Sequence, residues 1–75
     1  MKPDLSHLAD KWRSSIVARN QVKEFSGGLF SGRYLANLDS LGKGPKGRIR
    51  VGRQVAYRVP YLISWMEERC EVLEA

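Results

Sequence analysis

Between Gly42 and Val59 the chain carries six basic residues, Lys43, Lys46, Arg48, Arg50, Arg53 and Arg58, and no acidic one. Within this stretch Arg48-Ile49-Arg50-Val51 alternates polar and apolar residues strictly, and Val55-Ala56-Tyr57-Arg58-Val59 sets its large apolar residues, Val55, Tyr57 and Val59, at every second position. A period of two marks strands with one face turned inward, and the glycine-containing break between the runs marks a hairpin. A two-residue loop at Gly52-Arg53 would pair Val51 with Gln54 and mix the two faces. A three-residue loop, Gly52-Arg53-Gln54, pairs Val51 with Val55 and Ile49 with Tyr57. It leaves Arg48, Arg50 and Arg58 together on the outer face. Facial consistency favours the second register, although three-residue loops usually place glycine last rather than first.

The rest of the chain reads as short helices. Asp4 to Trp12 is one, with Leu5, Leu8 and Trp12 at helical spacing. Asn20 is an N-cap for a second, in which Val22 and Phe25 face one way, and Gly27-Gly28 stops it. Ser31 caps a third, with Phe30 and Leu35 at the hydrophobic-staple positions. Leu35 and Leu38 point inward on it, while Arg33, Asn37 and Ser40 lie on the opposite arc, flanked by Tyr34. Gly42 and Gly44-Pro45 end this helix. About four residues with two glycines join the second and third helices, the length and composition of a helix-turn-helix connection. Pro60 suits the first turn of a closing helix. Leu62, Trp65, Met66 and Leu73 form its apolar stripe, and Glu67, Glu68, Glu71 and Glu74 face solvent.

Seventy-five residues, 43% of them hydrophobic, allow one domain with one small core. Residues 1–39 carry a net charge of +2, residues 40–66 +6 and residues 67–75 −3. The middle would attract a polyanion and the C-terminal end would repel it. With one cysteine, Cys70, and one histidine, His7, the chain has neither a disulfide framework nor the makings of a metal site. No apolar run approaches the length of a bilayer span, and no secretion segment opens the sequence, so cytoplasm is the expected compartment. No nucleophile–base pair or paired carboxylates stand out, and no enzyme activity or cofactor is expected. Gly42-Lys43-Gly44-Pro45-Lys46-Gly47 lacks the Gly-Lys-Ser/Thr ending of a P-loop and reads as a loop with phosphate-contacting lysines.

A short exposed helix followed by a basic hairpin suits a nucleic-acid duplex: the helix enters a groove and the hairpin neutralises phosphates. Arg33 and Asn37 are one turn apart, and in a major groove arginine pairs bidentately with guanine and asparagine with adenine. Ser31 and Tyr34 can reach phosphates or a thymine methyl. Lys43, Lys46, Arg48, Arg50 and Arg53 are the phosphate contacts, with Arg53 at the hairpin tip placed to enter a groove.

The run from Val22 to Gly28 followed by Ser31-Gly32-Arg33-Tyr34-Leu35-Ala36-Asn37-Leu38-Asp39 resembles the head of MerR-like winged helix-turn-helix proteins. Gly47 to Tyr57 and then Leu62-Ile63-Ser64-Trp65-Met66-Glu67 is similar to the wing and closing helix of small excisionase and AlpA-type regulators. The resemblance covers roughly residues 17–70. It implies a mainly α fold with a small hairpin, a winged helix-turn-helix, with the second helix of the pair in the major groove and the wing beside it. Members act in excision of mobile elements or as transcriptional regulators. Gly32 stands where such helices often carry proline, and residues 1–16 have no counterpart.

Together these readings predict an N-terminal helical extension over residues 1–16 and a DNA-binding domain over 17–73. Its partner is double-stranded DNA in the nucleoid, with a recombinase or a second copy on adjacent sites supplying added specificity. Two alternatives share part of the pattern: an RNA- or ribosome-associated basic protein, and a protein-interaction module using the Leu5, Leu8 and Trp12 helix. Exposure of Trp12 would favour the latter.

Overall fold

The computed structural model describes residues 2–73; Glu74, one of the acids expected on the closing helix, lies outside them. In chain order the elements are α1 (His7–Lys11), β1 (Ile16–Ala18), a 3-10 turn (Arg19–Gln21), α2 (Val22–Phe25), α3 (Gly32–Ser40), β2 (Arg48–Val51), β3 (Gln54–Arg58) and α4 (Val59–Glu68). The described residues thus form a mixed α/β fold of four helices and a three-stranded antiparallel sheet, ordered β1-β3-β2. The expectation of a mainly α fold with a two-stranded ribbon is corrected by β1. Ile16, Val17 and Ala18 pair with Arg58, Tyr57 and Ala56, which places the boundary expected after residue 16 inside a strand.

The hairpin takes the other register. Val51 pairs with Gln54, Arg50 with Val55, Ile49 with Ala56 and Arg48 with Tyr57, across a two-residue loop at Gly52-Arg53. Gly52 is at φ +63 and Arg53 is not at positive φ. Glycine first and an ordinary residue second is the II′ hairpin pattern, whose twist matches that of the strands. In this register Arg48 and Arg50 share the ribbon face of Val55 and Tyr57, while Arg58 lies on the opposite face with Ile49 and Ala56. The expected arginine triplet is therefore split. Arg58 donates from Nε to the Gly47 carbonyl (2.9 Å) and stacks over the Tyr61 ring.

Local chemistry sets the helix ends. Ser31 is extended (φ −101, ψ 157) and its Oγ accepts from the Tyr34 N–H at 3.1 Å, the cap that starts α3. Phe30 stacks on Tyr34 and meets Trp65 edge-on. At the other end the Lys43 N–H reaches the Leu38 carbonyl (2.8 Å) and the Gly42 N–H reaches that of Asp39 (3.1 Å). These are the paired bonds of a Schellman stop. Asn20 does not cap α2: it sits inside the 3-10 turn, where Gln21 Oε1 accepts from the Ala18 N–H.

Val59, Leu62, Ile63 and Met66 line the buried face of α4, spaced as one helical stripe. They close on Val17, Val22, Phe25, Leu35 and Tyr57 to form the core. Val17, Val22, Leu35, Tyr57, Leu62 and Met66 are fully buried, each contributing about 1.5–3 kcal/mol by transfer from water. Of the other two members of the expected stripe, Trp65 packs against this core from its edge and Leu73 falls elsewhere. Trp65 is half-buried at the edge, donating from Nε1 to the Lys43 carbonyl (3.0 Å). Leu73 lies beyond the end of α4 and is 85% exposed. α1 packs back on α4. Leu5, Leu8 and Trp12 lean on the core, Glu67 accepts from the Leu5 N–H, and Lys2 pairs with Glu68.

Candidate nucleic-acid interface

A groove runs between α3 and the β2–β3 hairpin. Near the hairpin tip it is a cleft of about 460 Å³ between Arg33 and Ala36 of α3 and Arg53, Gln54 and Val55 of the hairpin. Towards the far end of α3 it continues as a cleft of about 340 Å³ lined by Ala36, Asp39, Ser40, Arg48, Arg50 and Val55. Arg19, Ala36 and Val55 line both and form the shared floor. Small Ala36 keeps the floor open, and the register that places Arg50 beside Val55 turns Arg50 towards α3.

Five arginines therefore line one groove: Arg19, Arg33, Arg48, Arg50 and Arg53. The acid among them, Asp39, is buried, with 5% of its side chain exposed. Its Oδ2 accepts from Arg19 Nη2 (2.7 Å) and from the Tyr57 hydroxyl (2.6 Å). Tyr57 OH in turn accepts from Arg19 Nε at 3.0 Å. Arg48 Nη1 lies 3.1 Å from Oδ1, but no donor is aligned on that oxygen for a hydrogen bond. Gly44 packs so closely that a Cβ there would fall 1.8 Å from Oδ1. One carboxylate thus ties the end of α3 to the turn before α2, to β2 and to β3. Burial and the Asp39 bond push the Tyr57 hydroxyl up to about 12. Burial works against the Arg19 charge, but its bonds to Tyr57 and Asp39 outweigh that and raise its pKa.

Of the residues expected from sequence, the groove gathers Arg33, Arg48, Arg50 and Arg53. Arg33, Arg50 and Arg53 are exposed and make no ion pair among the described residues. Arg48 is half-committed to Asp39. Asn37 is exposed on α3, outside both clefts, and its carbonyl accepts from Ser40 Oγ. Ser31 spends its hydroxyl oxygen on the helix cap, and Tyr34 leans on Phe30. Lys43 and Lys46 are exposed in the loop after α3. Lys46 lines neither half of the groove; it borders a cleft with Asp39 and Arg48 on one side and one with Tyr61, Ser64, Trp65 and Glu68 of α4 on the other.

Arg19 and Asp39 escaped the sequence reading. One signal was present for Asp39: it lies four residues after Leu35 and so on the inward arc of α3. Nothing local marks Arg19. Gly32, where similar helices often carry proline, has a packing reason. A Cβ there would come within 2.2 Å of the Arg19 carbonyl oxygen, so α3 can begin against the Arg19 backbone only with glycine.

Among the described residues no group of three or more His, Cys, Asp or Glu side chains is placed to hold a metal ion. No helix among them is long and apolar enough to cross a membrane. No family model, no curated protein and no solved structure matches the chain.

Proposed function

We propose that this protein binds double-stranded DNA without catalysis, as a small winged helix-turn-helix regulator or an accessory factor in excision. In this reading α2 and α3 are the helix-turn-helix, β2–β3 the wing and α4 the closing helix. The observation that carries it is the groove between α3 and the hairpin, where Arg33, Arg50 and Arg53 are exposed and unpaired among the described residues while Asp39 is neutralised by Arg19 and Arg48. α3 is about 13 Å long at 1.5 Å per residue, a length that a major groove accommodates. With α3 in the groove, the adjoining phosphate strand falls between helix and wing. Arg50 and Arg53 then meet phosphate, and Arg33 and Asn37 meet base edges. Affinity comes chiefly from phosphate contacts and falls with salt. One such unit reads few base pairs, so useful selectivity draws on a second copy or a recombinase on adjacent sites.

The alternatives fit the geometry less well. An RNA-binding sheet stacks bases on exposed aromatics, whereas the aromatic residue within these strands, Tyr57, is buried in the core. Trp12 is half-buried, meeting Phe25 edge-on and bonding the Ile16 carbonyl. The N-terminal helix is therefore packed on its own domain rather than held out for a partner. The test is a titration of random-sequence duplex DNA with the wild type and with Arg33→Ala, Arg50→Ala and Arg53→Ala. Loss of affinity in Arg50→Ala and Arg53→Ala supports the reading; full affinity in all three folded variants contradicts it.

A further inference from the structure

We infer that Arg19 is a phosphate-binding residue at the floor of the helix–hairpin groove, holding a phosphodiester of the duplex from a pose fixed by Asp39 and Tyr57. The inference rests on the DNA-binding reading above. Arg19 belongs to neither α3 nor the hairpin, yet it lines both halves of the groove between them. Its Nε and Nη2 are anchored on Tyr57 and Asp39, while Nη1 has no hydrogen-bond partner among the described residues. Its side chain remains 32% exposed. A guanidinium gripped on one edge and open on the other is already ordered, so little conformational freedom is lost when an anion arrives. The close seat of Gly32 on the Arg19 backbone fixes this residue against the first turn of α3. Asp39 serves Arg19 and Arg48 differently. The aligned bond at 2.7 Å fixes Arg19, whereas the unaligned contact at 3.1 Å leaves Arg48, 49% exposed, freer to move.

The test is a salt-series titration of the full chain with a short random-sequence DNA duplex, comparing wild type, Arg19→Gln, Arg19→Lys, Arg50→Ala and Tyr57→Phe, each checked for folding by circular dichroism. Loss of one phosphate contact lowers the slope of log affinity against log salt by about 0.9. Arg19→Gln is expected to show that drop. Arg19→Lys should restore the slope without the full affinity, since an ammonium cannot reproduce the fixed fork. Tyr57→Phe keeps every charge and should weaken binding about two- to fivefold at unchanged slope, by releasing one anchor. A folded Arg19→Gln with the wild-type slope, beside an Arg50→Ala that loses slope, overturns the Arg19 assignment alone. No duplex binding by the wild type overturns the DNA reading and this inference with it. If Arg19→Gln does not fold, Tyr57→Phe decides: wild-type affinity there overturns the assignment.

Discussion

Replacing Asp39 by asparagine probes the group that joins α3 to the sheet. The swap preserves size, so the tight seat against Gly44 is not disturbed. What changes is charge, and the atom facing Arg48: with the amide oxygen keeping the Oδ2 bonds, an NH2 donor stands in place of Oδ1. Two short bonds to Oδ2, from Arg19 Nη2 and from the Tyr57 hydroxyl, become bonds to a neutral amide. Charge-assisted bonds contribute about 1.5–3 kcal/mol and are roughly twice as strong as neutral ones, so each loses about 1 kcal/mol. The contact with half-exposed Arg48 adds only about 0.5 kcal/mol, since water screens it. The total is about 2.5 kcal/mol. A domain of this size is stable by roughly 4–11 kcal/mol, and each kcal/mol shifts its Tm by about 4–8 °C. Asp39→Asn should therefore melt about 10–20 °C below wild type in a calorimetric or circular-dichroism scan. A Tm within about 2 °C of wild type would refute the idea that this carboxylate holds the helix to the hairpin.

Gly32→Ala should destabilise by about 1–3 kcal/mol in urea denaturation, because the new methyl meets the Arg19 carbonyl and the backbone must shift. Helix propensity alone predicts a gain of about 1 kcal/mol, and a gain would disprove the close seat. Tyr57 is favoured neutral in the fold, its pKa pushed from 10.0 to about 12. Its contribution is complete below pH 10 and is lost as pH rises from about 10 to 12. Urea midpoints of wild type should fall towards those of Tyr57→Phe across that window; parallel curves would contradict it. On a selected site Arg33→Ala should cost about 1–3 kcal/mol of affinity with little effect on random duplex. Equal losses on both would demote Arg33 to a phosphate contact.

Much of the fold can be read locally. Ser31 and Gly42 bracket α3 by short-range hydrogen bonds, and Pro60 sits in the first turn of α4. What escapes the eye is non-local. β1 is three residues long and exists because β3, some 40 residues on, supplies its partners. The hairpin register differs from the one facial consistency favours, because such consistency assumes one wet face. Here Arg48 stands on the same face as Tyr57, with its guanidinium beside the Asp39 carboxylate. The glycine-first loop is the sequence signal that matches the observed register. The buried cluster joins residues 19, 39, 48 and 57, and no spacing rule links them. A tyrosine predicted inward does, however, call for a hydrogen-bond partner, and an acid on the inward arc of α3 is a natural one. At the candidate site, Arg33, Arg50 and Arg53 were legible as exposed basic residues around a helix and a hairpin. That Lys46 sits between α4 and the Asp39–Arg48 end of the groove depends on how the Gly42–Gly47 loop folds back under Trp65.

The most direct measurement is a salt-series binding titration of the wild type against random duplex DNA, single-stranded DNA and duplex RNA. Binding should be tightest to duplex DNA, with log affinity falling linearly and steeply against log salt. Weak binding to all three, or preference for either of the other two, would contradict the claim that the arginine-lined groove is built for a DNA duplex.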